Sequence, residues 1–188
     1  MVLAIGPWIH YLLGSLQLPV RMTRQYLLYF ANLPVEDFGS QSFPAFFARD
    51  LYGFPLHSSF TASGPAWLKV ASHDFGIPVD PDEAPTVEKD YITQLRYNIE
   101  EILPAVRDAT LAQIESCMYD VTDDEDFILD RLPDDPRIVI GTGLSGHGFK
   151  FGPMIGEMLC SLVRETEPPV SMRRFQLARF SRVHESVA

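Results

Sequence analysis

Only two cysteines, Cys117 and Cys160, occur in 188 residues. That is too few for a disulfide scaffold, and no Cys or His pair has the spacing of metal ligands. Reduced thiols in an intracellular protein are the expectation. Basic residues are scarce too: 15 Lys and Arg stand against 25 Asp and Glu, a formal net charge of -10. Gripping nucleic acid takes a basic face, so this balance argues against nucleic acid and weakly against an anionic membrane. Long apolar runs are missing. The opening MVLAIGPWIHYLLGSLQLPV is broken by Gly6, Pro7 and His10 and lacks a basic lead, which argues against a signal peptide or a membrane span. The closing SRVHESVA matches no retention or peroxisomal tripeptide. Repeats and low-complexity tracts are absent as well. What remains is ample core material: 46% hydrophobic and 12% aromatic residues, which excludes disorder as a description of the whole.

The chain reads as mixed α/β (α+β). VLAI (2–5) predicts a short buried strand, followed by a turn and a short helix in WIHYLLGSL. VRMTRQYLLYF (20–30) predicts a strand, FPAFFARDLYGFPL (43–56) a hairpin, and AWLKVASH (66–73) a further alternating strand. Helical spacing of Tyr91, Leu95, Ile99 and Ile102 predicts a helix that ends before Pro104. ESCMYDVTDDEDFILD predicts a strand, an acidic turn and a second strand, and RIVIGTG a buried strand. In FGPMIGEMLCSLV the residues Phe151, Met154, Ile155, Met158, Leu159 and Leu162 follow the i, i+3, i+4, i+7 pattern of a helix. PPVSMRRFQLARF predicts a last strand or an extended tail.

The stretch with most chemical interest is GTGLSGHGFK (141–150). A strand leaves into glycines, and a helix follows. A helix start carries unpaired N–H groups and partial positive charge, and Lys150 adds a full charge there. An anionic ligand such as a phosphate suits such a place. A dinucleotide fingerprint is not expected, because that motif normally opens a chain and this loop sits near the C-terminus of the sequence. The simpler reading is a glycine-rich turn required by tight packing. Cys117 by spacing alone reads as a small buried hydrophobe. Lys69, Ala71 and His73 share one face of an alternating strand, most simply a solvated one. The acidic run DDED (123–126) reads as a solvated turn rather than a metal site. Tyr26 and Tyr29 read as core or edge aromatics.

Three pieces in order, C-M-Y at 117–119, TDDEDFILD at 122–130 and SGHGFKF at 145–151, resemble the C-terminal part of the monomeric sarcosine oxidase family. This family of FAD-dependent amine oxidases includes N-methyltryptophan oxidase and pipecolate oxidase. The resemblance extends upstream through AIGPWIHYLLGSLQLPVRMTRQY, YGFP and LKVASH. It implies FAD as cofactor, with Cys117 as a covalent tether to the flavin 8α-methyl. It implies Tyr119 as an active-site tyrosine and Lys150 as the partner of the substrate carboxylate. Gly146, His147, Gly148 and Phe149 would line the flavin, and Lys69 would promote reaction with oxygen. His73 and Tyr52 would be further active-site members, although about six extra residues lie between YGFP and Lys69. The implied partners are a small amino-acid substrate and oxygen. The implied compartment is the cytoplasm, or alternatively the peroxisome. The implied organisation is a late strand and helix of an FAD-binding domain at 1–18, a substrate domain at 19–113 and a returning FAD-domain segment at 114–188. The family's N-terminal half, with its glycine fingerprint on the first βαβ unit, finds no match in these residues. The alternative expectation is therefore a non-catalytic fragment that holds FAD poorly by itself.

Overall fold

A computed structural model describes residues 1–14, 18–58, 66–83 and 88–181. In chain order its strands are β1 (Val2–Leu3), β2 (Val20–Ala31), β3 (Phe46–Ala48), β4 (Leu51–His57), β5 (Trp67–Ser72), β6 (Ile77–Pro78), β7 (Thr110–Thr122), β8 (Ile128–Arg131) and β9 (Val139–Thr142). The α-helices are α1 (Ile9–Leu13), α2 (Val35–Phe38), α3 (Lys89–Ile102), α4 (Gly152–Arg164) and α5 (Ala178–Ser181). Two compact units result. One comprises Met1–Thr23, Pro78–Pro81 and Met118–Ala188; the other comprises Arg24–Ile77 and Asp82–Cys117.

The second unit is built on a sheet of order β3-β4-β5-β2-β6, with β7 also paired to β2. Side chains alternate across a strand, so each strand serves two faces. On β2, Tyr26, Leu28 and Phe30 enter one core with Leu68 and Val70 of β5, and α3 closes it with Ile92, Leu95 and Ile99. Leu27 and Tyr29 point to the other face, with Ala71. The antiparallel register sets Tyr29 opposite Lys69 and Leu27 opposite Ala71. Ile99 has no exposed surface, and burying such a side chain contributes roughly 1.5–3 kcal/mol. The predicted hairpin is β3–β4. Its turn residues Arg49 and Asp50 both have positive φ, 49° and 63°, the conformation of a tight two-residue hairpin turn. α3 ends before Pro104 as expected, because proline disfavours a helical residue ahead of it.

The first unit has a three-stranded sheet of order β1-β9-β8. β1 runs parallel to β9, with Val2 opposite Val139, and β8 runs antiparallel to it. Ile128 and Ile140 face Ile9 and Leu13 on one side. Leu129 and Val139 face Met158 and Leu159 of α4 on the other.

Three expectations need correction. The opening strand is two residues long and Val2 is 45% exposed; with β9 as its single partner among the described residues, it is not the buried run that four apolar letters suggest. PPVSMRRFQLARF forms a 3-10 turn (Met172–Phe175) and the short helix α5, not a strand. The DDED turn is not simply solvated. Arg179 donates from Nε and Nη2 to the two carboxylate oxygens of Asp124 at 2.6 and 2.9 Å, and Arg174 Nε donates to Asp126 at 2.5 Å. Among the described residues no cluster of metal-ligating side chains occurs, and no helix is long and apolar enough to cross a membrane.

Candidate functional site

The sheet of the second unit gathers four of the residues singled out in the sequence. Tyr52, Trp67 and the half-buried Cys117 pack against Leu27, Tyr29 and Ala71. The Lys69 ammonium stands 5.9 Å from the centre of the Tyr29 ring and 5.8 Å from that of Phe54, within reach of cation–π attraction. The His73 ring lies 6.3 Å from Tyr52 and 5.7 Å from Phe47, edge-on to both. Its backbone N–H donates to the Asp50 carbonyl at 2.6 Å, which fixes the end of β5 to the hairpin turn. Glu115 is not legible in the sequence, and Tyr29, expected as a core or edge aromatic, is buried. The Tyr29 hydroxyl donates to Glu115 Oε2 at 2.6 Å, and Gln113 Nε2 donates to Oε1 at 2.6 Å. Burial, and then the Glu115 carboxylate, push the Tyr29 hydroxyl far above its ordinary value, so it remains a neutral donor. No letter pattern reveals this pair. It depends on the register that sets β7 beside β2.

The first unit holds the remaining residues. Gly143 and Gly146 have φ of 66° and 73°, and Ser145 has 49°. A Cβ on Gly146 would sit 2.2 Å from Cε2 of Tyr119, and one on Gly148 would sit 2.7 Å from Leu144. Only glycine fits where a backbone meets an aromatic ring this closely at positive φ. The loop is held by Asp120, another residue that the sequence reading passed over. Its carboxylate accepts from Thr142 Oγ1 at 2.9 Å, Gly143 N at 2.7 Å and Leu144 N at 3.2 Å. Desolvation raises its carboxyl above the ordinary value, against the pull of these hydrogen bonds. His147 is within 3.1 Å of the Glu125 carbonyl through Nε2, and its ring lies 5.1 Å from Phe127. Phe149 is fully exposed. Lys150, also exposed, lies 5.5 Å from the Phe151 ring in the 3-10 turn Phe149–Phe151 that leads into α4. A cavity of about 380 Å³ beside it is lined by Phe127, Met154, Met158 and Phe175.

Against expectation, the letters from Gly141 to Gly146 do spell G-x-G-x-x-G. The local structure is not that of a dinucleotide fingerprint. Gly141 belongs to β9, Gly143 packs on Thr122 and Gly146 on Tyr119. α4 starts only at Gly152, whereas the fingerprint's glycines open the helix directly. Glu165, which lies about 20 positions on as the motif requires, is the left-handed C-cap of α4 and not the end of a strand.

Comparison with known proteins fits this arrangement. A model of the family described as FAD dependent oxidoreductase matches residues 1–162. The chain belongs to that family. The peroxisomal sarcosine oxidase of Homo sapiens is 36% identical over 187 residues, covering 96% of this chain and 47% of that protein. The N-methyl-L-tryptophan oxidase of Yersinia pestis (strain Pestoides F) is 47% identical over 66 residues, 35% of this chain and 18% of that protein. An Amadoriase I mutant from Aspergillus fumigatus superposes with a TM-score of 0.75 at 18% identity, covering 97% of this chain and 43% of that one; that likeness carries the mixed α/β fold. The chain spans about half the length of the sarcosine oxidase it matches.

The residues present suit the isoalloxazine part of FAD. In the second unit an aromatic sheet face offers Tyr29, Tyr52 and Trp67 together with a half-buried thiol. Nothing in the 141–146 loop is shaped for the adenosine diphosphate part.

Proposed function

We propose that this protein serves an FAD-dependent amine oxidase reaction on a secondary amino acid, N-methylated or cyclic. The substrate's C–N bond is oxidised to an imine that water hydrolyses, and oxygen takes up the electrons and becomes hydrogen peroxide. Bound FAD supplies the two-electron acceptor. The Lys150 ammonium pairs with the substrate carboxylate and so orients the C–H beside nitrogen. Tyr119, His73 and Tyr52 border the substrate. Lys69 provides positive charge where negative charge develops on oxygen. Cys117 is the covalent tether of the flavin, and Gly146, His147, Gly148 and Phe149 flank the ring. The compartment in this reading is the cytoplasm, with the peroxisome as alternative.

The observation that carries the reading is the assembly of Lys69, Tyr52 and Cys117 with Tyr29 on one sheet face. A second reading, a non-catalytic form that holds FAD poorly, draws on the loop that spells a fingerprint without building one. One experiment separates them. Protein mixed with FAD is assayed for oxygen uptake with sarcosine and with pipecolate, and its Cys117 peptide is weighed by mass spectrometry. The oxidase reading expects uptake, a flavin-bearing peptide, and a KM for substrate at least about 30-fold higher in Lys150→Met, the cost of stranding a charged partner. Colourless protein with an unmodified peptide and no uptake favours the second reading.

A further inference from the structure

The Glu115–Tyr29 pair has no part in the roles assigned above, yet it lies on the face that carries Cys117. Residues 113, 115 and 117 alternate onto one side of β7, and Tyr29 meets this row. Its hydroxyl binds Glu115, the middle residue, and Cys117 packs against the cluster of Leu27, Tyr29 and Ala71. The Glu115 carboxylate is fixed by two hydrogen bonds of 2.6 Å, one to each oxygen. From β5, across the Tyr29 ring, comes the opposite charge of Lys69. Tyr52 of β4 adds a phenol to the cluster, and His73 stands beside that phenol.

We propose that Glu115, locked in place by Tyr29 and Gln113, is a positioning residue that restrains the reactivity of Cys117, holding it as a thiol against the thiolate-favouring charge of Lys69. The proposal deepens the reading of Cys117 as the flavin tether, and it rests on the same sheet face. The physics is simple. A thiol reacts as its thiolate, a nearby anion disfavours that form, and a nearby cation favours it. A strand that offers one strongly nucleophilic thiol to solvent would lose it to any electrophile before the cofactor arrives. An immobilised carboxylate two residues away raises the barrier to such side reactions.

The test reads the thiol itself, so it does not depend on a loaded enzyme. In a Cys160→Ser background, the alkylation rate of Cys117 by iodoacetamide is followed from pH 6 to 10. Glu115→Gln is expected to raise the rate at pH 7 about threefold and to move the profile to lower pH, a size appropriate to a solvent-screened charge one residue pair away. Glu115→Asp restores the parent profile if charge is what matters. Lys69→Met moves the profile the other way. In 1 M salt, where screening acts over about 3 Å, the Glu115→Gln effect shrinks, which a merely structural lesion would not do. An unmoved profile in Glu115→Gln, or a shift that ignores salt, overturns the proposal. If the profile moves as expected but no flavin adduct forms at Cys117, the tether reading fails and the charge restraint stands.

Discussion

Gly146 shows how one residue joins sequence to site. Its φ of 73° and the 2.2 Å approach of a built Cβ to the Tyr119 ring leave no room for a side chain. Gly146→Ala is expected to lower stability by about 2–4 kcal/mol, the sum of left-handed strain and overpacking, as read by urea unfolding. Adding Tyr119→Ala should recover the overpacking part only, so a double-mutant cycle will show coupling between the two positions. The glycine-rich loop was legible in the sequence as a tight turn; the ring that makes it tight was not, because Tyr119 lies 27 residues upstream on another strand. Asp120 was hidden differently, as one acidic letter next to a run of them. Its carboxyl is raised above the ordinary 3.8 by desolvation. A folded acid that holds its proton longer than the unfolded one favours folding fully below pH 3.8, and this contribution fades as pH rises through the higher folded value. Asp120→Asn removes that slope and leaves one of two loop N–H groups facing an amide N–H. The stability difference between parent and variant should therefore shrink from pH 3.5 to pH 7; a difference that widens with pH contradicts the assignment.

At the scale of elements, the segment that ends the described chain behaves as a clamp. Arg179 is only 14% exposed at its side chain. Besides Asp124 it reaches the carbonyls of Phe127 at 3.0 Å and Asp126 at 2.8 Å, and so ties α5 to the turn between β7 and β8. Arg179→Ala is expected to cost about 2 kcal/mol, in the range of hydrogen bonds to charged groups, and to speed proteolytic trimming near Phe175. Asp124 answers to pH with the sign opposite to Asp120. The Arg179 guanidinium holds its carboxyl below the ordinary 3.8, so its contribution is present above that value and is lost as pH falls through the lower folded one. Trimming of the parent should accelerate below about pH 4, while Arg179→Ala should be fast at every pH. This clamp was illegible in PPVSMRRFQLARF. Short 3-10 and helical turns give too few residues to establish a period, and the acidic partners lie about 50 positions away. Long, strongly periodic elements fared better. β2, β5, α3 and α4 were all readable, because each is long and carries a regular apolar period, even though Phe151 and Met154 at the start of the last one stay exposed.

For the whole molecule, the expectation concerns which part of the cofactor these residues can recognise. Cys117, Lys69 and Tyr52 belong to one compact unit, and Tyr119, Gly146 and Lys150 to the other. Every one of them was assigned through resemblance to a ring or substrate role, and none to a pyrophosphate or an adenosine. The single stretch that spells a dinucleotide fingerprint, Gly141–Gly146, spends its glycines on β9, Thr122 and Tyr119 instead of opening a helix. Binding free energy for the adenosine diphosphate half would need donors placed for it, usually the N–H groups of a helix that begins at the loop. Here the helical turn begins only at Phe149 and α4 at Gly152, and the N–H groups of Gly143 and Leu144 are already taken by Asp120. The chain is therefore expected to bind FMN and FAD with dissociation constants within about threefold of each other, since a tenfold gap corresponds to about 1.4 kcal/mol of extra contact. Excess ADP should leave both unaffected. Flavin fluorescence titration measures all three. An FAD affinity 100-fold above that of FMN, lost on adding ADP, would mean that the 141–146 loop holds a diphosphate after all, and that the packing of Gly146 on Tyr119 gives way when it does.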